Sequence, residues 1–159
     1  MDVIEIGESV GKVGEIKQVK VIGVLCLLDE GETDWKVIAI DVNDPLASQI
    51  NDIADVELVC PGLLAATVEW FKIYKIPDGK PENTFAFNGE AKDRSFALNV
   101  VHETHDQWKR LMDRKVESQL CLDNSSIEGN FKTIAKVSSS VSDQISDVDS
   151  SVNSWFFRK

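Results

Sequence analysis

Four carboxylates crowd into six residues at Asp29-Glu30-Gly31-Glu32-Thr33-Asp34, and Trp35-Lys36 follow directly. Apolar, strand-like runs flank them over 16–28 and 35–40, and Gly31 sits where a chain reversal needs a permissive backbone. The pattern predicts a β-hairpin with an acidic turn. Alternate residues of a strand share a face, so Asp34 and Lys36 point one way while Trp35 and Val37 point the other. The turn is expected to bring Asp29 back towards Asp34. Two carboxylates about 4 Å apart repel by roughly 4 kcal/mol at a surface-like effective dielectric. A hard divalent cation such as Mg²⁺ prefers carboxylate and water oxygens and removes that repulsion. A lysine one pleat away then adds grip on an anionic ligand beside the metal. A solvated surface turn has the same composition, so both readings stand on these residues.

The elements that must position this chemistry fit one domain of 159 residues with an ordinary hydrophobic fraction of 43%. A net charge of −10 argues against binding a nucleic-acid backbone, though not against a small anion held through metal. No apolar stretch approaches the ~18 residues of a membrane helix. Met1-Asp2-Val3-Ile4-Glu5 lacks the basic and apolar regions of a secretory signal. Cys26, Cys60 and Cys121 are odd in number and scattered, which fits reduced thiols and a cytoplasmic location. With two histidines and no CxxC the chain does not read as a zinc protein.

Val3-Ile4-Glu5-Ile6-Gly7 reads as the end of a strand and a turn, and Gly7, Gly11 and Gly14 mark loops. The continuous apolar run 21–28 suggests a strand buried on both faces. A buried helix would look similar, but β-branched residues and flanking glycines favour strand. Asp44 and Pro45 read as the cap and first residue of a short helix over 46–50, and Asp52 as the cap of a brief turn through Val56. From Leu63 the helical period is clear, with Leu64, Thr67, Val68, Phe71 and Tyr74 on one face until Pro77-Asp78-Gly79. Tyr74 and Lys75 fall in its last turn, beside a polar loop. Taken alone they read as a core-edge tyrosine and a lysine complementing the helix dipole. Thr84-Phe85-Ala86-Phe87 predicts a short strand. Residues 95–113 predict a second amphipathic helix, with Ala97, Val101, Thr104, Trp108 and Leu111 on one face and His102 and His105 as surface or packing residues. Residues 116–159 read as a Ser/Asp-rich, largely disordered tail, with Trp155-Phe156-Phe157 as an aromatic anchor.

Residues 2 to about 113 resemble the C-terminal half of a eukaryotic-type family I inorganic pyrophosphatase. The matching stretches are Asp2-Val3-Ile4-Glu5-Ile6-Gly7-Glu8, the acidic hairpin through Ile40, Asn43-Asp44-Pro45, Tyr74-Lys75-Ile76-Pro77-Asp78-Gly79-Lys80-Pro81-Glu82-Asn83 and Phe85-Ala86-Phe87. The resemblance implies a mainly β, mixed fold: an OB-like β-barrel, incomplete here, with two outer amphipathic α-helices over 1–115. It implies hydrolysis of pyrophosphate to two phosphates with Mg²⁺, by direct attack of a metal-activated water. Asp2, Asp29 and Asp34 match metal-binding aspartates, and Lys36, Tyr74 and Lys75 match residues that contact phosphate. Glu30 and Glu32 are expected to face solvent or stand behind the metal ligands. Relatives often form homodimers.

The family signature Asp-x-Asp-Pro-x-Asp-x is represented here only from its last aspartate, Asp2. The general base belongs to the part upstream, so no catalytic base is expected among these residues. The chain alone is expected to have little turnover, and an exposed strand edge is expected near 3–6 and 16–28. The alternative is a catalytically inactive fragment or paralogue that binds metal or pairs with another subunit.

Overall fold

The computed structural model describes residues 1–120 and 122. Cys121, most of the expected tail and its terminal Trp155-Phe156-Phe157 lie outside the described residues. Two compact units are distinguished, one covering Met1–His102 and a second beginning at Glu103. The sheet and the candidate site belong to the first.

The sheet has four strands in the order β1-β3-β2-β4 and does not close on itself. They are β1 (Asp2–Glu5), β2 (Val19–Asp29), β3 (Glu32–Asp41) and β4 (Thr84–Phe85). β1 runs parallel to β3, while β2 pairs antiparallel with both β3 and β4. Among the described residues three α-helices accompany them: α1 (Ile53–Val59), α2 (Leu63–Ile73) and α3 (Arg94–Met112). The expected mixed, mainly β core with outer helices is therefore present, with α1 as a third helix.

The hairpin forms as its sequence predicts. Asp29 pairs with Glu32, leaving Glu30 and Gly31 as a two-residue loop. Both have positive φ, 51° and 90°, the arrangement of a type I′ turn, whose twist matches that of the strands. β2 is buried on both faces, as its continuous apolar run requires. On one face Ile22 and Leu25 join Ile38 and Ile40 of β3, Leu46, Ile50, Val56 and Cys60. On the other, Val24 and Val37 pack on Ala97 and Val100 of α3. Each such aliphatic side chain contributes roughly 1.5–3 kcal/mol on burial.

Local signals set the helix ends. Asp52 and Asp55 form a capping box on α1, and the same Asp52 carboxylate accepts the N–H of Arg94 at the start of α3. α2 stops at Tyr74, followed by a 3-10 turn over Ile76–Asp78 that Gly79 ends at φ 77°.

Four expectations are corrected. Ile16 is not in β2, which begins at Val19; the Ile16 side chain is almost fully exposed. β2 is not an edge: β4 covers Leu27 and Leu28, and Lys92 exchanges backbone hydrogen bonds with Val24. The approach at Gly23 is so close that a Cβ there would stand 2.6 Å from the Lys92 carbonyl oxygen. Of the two segments expected to be edges, β1 is one. Residues 46–50 form successive turns instead of a helix. The buried Asp44 carboxylate accepts from Leu46 N–H and also from Glu8 N–H, which ties this segment to a distant loop. Finally, the strand at Thr84 ends after Phe85, because Phe87 and Asn88 are left-handed, both with φ 55°.

Candidate active site

The site grows out of the sheet's apolar face. Ile40, Ile38, Lys36, Asp34 and Glu32 alternate along β3 and share one face. The register places Asp2 beside Lys36, Leu27 beside Asp34 and Asp29 beside Glu32. One sheet face therefore passes from a packed core to a cluster of charges within a few residues. The turn brings Asp29 back towards Asp34 as expected, but as a diagonal neighbour, because the two-residue turn fixes Asp29 opposite Glu32.

Lys36 is only 4% exposed. Its ammonium donates to Asp34 Oδ2 at 2.6 Å and to Asp2 Oδ2, and lies 5.4 Å from the centre of the Phe71 ring. A buried ammonium is tolerated only when it is paired and hydrogen-bonded. Burial pulls the Lys36 pKa down, but hydrogen bonds and charge from Asp2 and Asp34 together outweigh it and hold the group above its ordinary value. In return, the hydrogen bond and charge of Lys36 hold Asp2 below the usual aspartate range.

Lys75 follows the C-cap of α2, and its Nζ stands 2.5 Å from Asp29 Oδ2. The Asp29 hydrogen bond raises the Lys75 pKa, with further support from Tyr74. The other carboxylate oxygen, Asp29 Oδ1, is buried without a hydrogen-bond partner. Such an acceptor costs roughly 1–3 kcal/mol unless something completes its coordination. Tyr74 stacks on Trp70 with ring centres 4.9 Å apart, and its own ring lies 5.6 Å from Lys75 Nζ.

A cleft of about 520 Å³ is lined by Asp29, Glu30, Glu32, Thr33, Asp34 and Lys75. Asp29, Asp34 and Lys75 thus meet in one cavity. Asp2 and Lys36 are joined to it through Asp34 without lining it, and Tyr74 stands beside Lys75 without lining it. Among the described residues no three acids stand close enough to form a metal cage by themselves. Lys36 and Lys75 partner the aspartates instead. The donor set is nonetheless that of a hard cation, and the Asp29 Oδ1 atom lacks a partner.

Lys80 lies within one of the matching stretches, but nothing in the sequence singles it out. Its Nζ is 2.6 Å from Glu30 Oε1, and it lines a second cavity of about 290 Å³ that shares Asp29, Glu30 and Lys75 with the first. Glu30 and Glu32 also line the main cleft. Lys80 and Glu30 are 50 residues apart, so only the topology reveals their pairing.

Residues 1–109 match the protein family described as inorganic pyrophosphatase. The inorganic pyrophosphatase of Schizosaccharomyces pombe is 55% identical over 163 residues, covering 99% of this chain and 56% of that protein. The solved structure of inorganic pyrophosphatase from Schistosoma japonicum matches with a TM-score of 0.71 at 54% identity, over 73% of this chain and 41% of that one. An N-terminal-domain-truncated vacuolar soluble pyrophosphatase of Trypanosoma cruzi, solved in complex with PPi, matches with a TM-score of 0.68 at 50% identity, over 72% and 43%. The chain spans little more than half the length of the curated relatives it matches. The family match takes in the whole sheet, the acidic hairpin and the Lys75 loop, and more than half of the residues agree along nearly the full chain; the chain belongs to the inorganic pyrophosphatase family.

Proposed function

We propose that the acidic hairpin and the loop after α2 form part of a site that holds inorganic pyrophosphate with Mg²⁺ and supports its hydrolysis to two phosphates. The observation that carries this reading is the shared cleft of Asp29, Asp34 and Lys75, with one Asp29 oxygen buried and unpartnered. The T. cruzi relative described above was solved with PPi, which supports the same substrate. A bound divalent cation supplies charge neutralisation and a more acidic water.

Asp29, Asp34 and Asp2 are the residues that would hold the metal. Lys75 is placed to exchange Asp29 for a phosphate oxygen, with Tyr74 fixing its approach. Lys36, held by Asp2 and Asp34, adds positive charge at the base of the site. These roles are positional and electrostatic, which is what phosphoryl transfer to water asks of a protein.

The same reading takes residues 1–115 as pyrophosphatase domain and 116–159 as an appendage, with homodimers as the assembly. Cys26 and Cys60 are free and buried, which suits a cytoplasmic location. No described helix is long and apolar enough to cross a membrane. A second reading, a non-catalytic relative that binds metal or pairs with another subunit, is favoured by one observation: a lysine already partners each of the three aspartates.

Phosphate release from pyrophosphate, with calorimetric binding of pyrophosphate in the presence and absence of Mg²⁺, tests both. Mg²⁺-dependent binding with release supports the first reading. Mg²⁺-dependent binding without release is expected of both readings, because no catalytic base is expected among these residues, and no Mg²⁺-dependent binding overturns the assignment of the cleft.

A further inference from the structure

We infer that the Glu30–Lys80 ion pair is a tether that keeps Lys75 at the cleft when Lys75 exchanges Asp29 for a phosphate oxygen. This rests on the pyrophosphate reading above and assigns Lys80 and Glu30 as positioning residues for it.

The loop that carries both lysines is closed upon itself and upon α2. Asp78 N–H donates to the Lys75 carbonyl at 3.0 Å, and Gly79 N–H to the Ile76 carbonyl at 2.9 Å. Asn83 anchors the far end: its N–H donates to the Lys72 carbonyl and its side-chain amide to the Phe71 carbonyl, each at 2.9 Å. β4 then fixes the following residues against Leu27 and Leu28. Residues 75–80 face the hairpin tip through two ion pairs from consecutive hairpin residues, Asp29 to Lys75 and Glu30 to Lys80.

The two pairs are not equivalent. Asp29 and Lys75 are about a quarter exposed, and both line the cleft. Glu30 and Lys80 lie at the rim, more than half exposed. The proposed chemistry dissolves the inner pair, because the metal needs the Asp29 carboxylate and the phosphate needs the Lys75 ammonium. The outer pair makes no such demand and survives. It spans the same two elements one residue further along the hairpin, so it limits how far Lys75 can drift once released.

The test is a charge-swap cycle on the full chain, read as calorimetric pyrophosphate affinity in saturating Mg²⁺. Glu30→Lys and Lys80→Glu are each expected to weaken binding about three- to fivefold, the scale of an exposed ion pair. The double variant, with the pair reversed, is expected to recover to within about twofold. Glu30→Lys is the decisive arm: it adds positive charge near an anion, so long-range attraction alone would tighten binding. Tighter binding by Glu30→Lys, or a double variant that is merely the sum of the singles, overturns the tether while leaving the site assignment intact. Absence of Mg²⁺-dependent binding in the unmodified chain takes down the functional reading and the tether with it. Glu30→Gln and Lys80→Gln repeat the comparison without repulsive contacts and are expected to show the same weakening.

Discussion

Lys75 and Asp29 are 46 residues apart in sequence, yet Nζ and Oδ2 meet at 2.5 Å. The contact satisfies half of the Asp29 carboxylate and leaves Oδ1 buried without a partner. An acceptor left in that state is a standing cost, and a hard cation is the group best suited to remove it.

Mg²⁺ is therefore expected to stabilise the fold through Asp29. At about one hundred times the dissociation constant, a ligand specific for the folded state adds roughly 2.7 kcal/mol. Thermal or urea unfolding with MgCl₂, against NaCl at matched ionic strength, should show this increment in the unmodified chain and its near loss in Asp29→Asn. An equal increment in both chains would assign the stabilisation to general screening and remove Asp29 as a ligand.

Lys36→Met is expected to be costly. It leaves Asp2 and Asp34 converging on a buried apolar chain end, beside Phe71. Breaking a fully buried pair costs about 3–5 kcal/mol, and the lower end applies here because Asp2 is largely solvent-facing. Urea denaturation measures the loss, and added Mg²⁺ is expected to recover part of it by replacing the missing positive charge. A loss below about 1 kcal/mol would place Lys36 with ordinary surface pairs.

The sequence announces those features whose causes lie within a few residues. The hairpin is legible because apolar runs flank a Gly-containing acidic turn, and α2 because its period runs cleanly into Pro77-Asp78-Gly79. Asp52 is legible as a cap for the same reason, although the brief turn expected through Val56 is a helix that runs to Val59. Contacts set by register or by distant loops are not legible. The two-residue turn sends Asp29 to Glu32 and makes Asp34 a diagonal neighbour. Asp44 looks like a helix cap, but its second oxygen is taken by Glu8, 36 residues away, and the segment settles into turns. The resemblance names Asp2, Lys36 and Asp34 separately. Only the parallel pairing of β1 with β3 shows that the lysine bridges the two acids.

The pH dependence of stability follows from the directions of the shifts. Asp2, Glu30 and Asp55 are held below their ordinary values by Lys36, by Lys80 and by the backbone amides of Asn51 and Asp52, respectively. Their contribution is complete above the ordinary carboxylate range, about 3.9–4.3, and is lost as pH falls through the lower folded values. Lys36 and Lys75 are held above their ordinary value, so their contribution is complete below about 10.4 and is lost as pH rises through the folded values. The urea midpoint should stay level between about pH 6 and 9 and fall on either side. Asp2→Asn is expected to flatten the acid limb, and an unchanged acid limb in that variant would contradict the Lys36–Asp2 coupling.

Glu30→Asn separates stability from binding at the hairpin tip. Glu30 is a non-glycine residue at φ 51°, directly before Gly31 at φ 90°. Left-handed backbone is unfavourable for glutamate, whereas Asn-Gly is the preferred pair for a type I′ turn. The substitution also deletes the ion pair with Lys80, which as an exposed pair contributes at most about 1 kcal/mol. The turn gain offsets that loss, so the thermal midpoint is expected to hold steady or rise. Pyrophosphate affinity in Mg²⁺ is expected to fall, because the shorter, uncharged amide cannot hold Lys80 and with it the approach of Lys75. Calorimetric unfolding and binding on the same preparation make the comparison. A variant that is more stable and binds pyrophosphate as tightly as before would show that the glutamate does nothing for Lys75. A variant that loses affinity while keeping its midpoint shows a strained turn residue retained for its hold on the loop across the cleft.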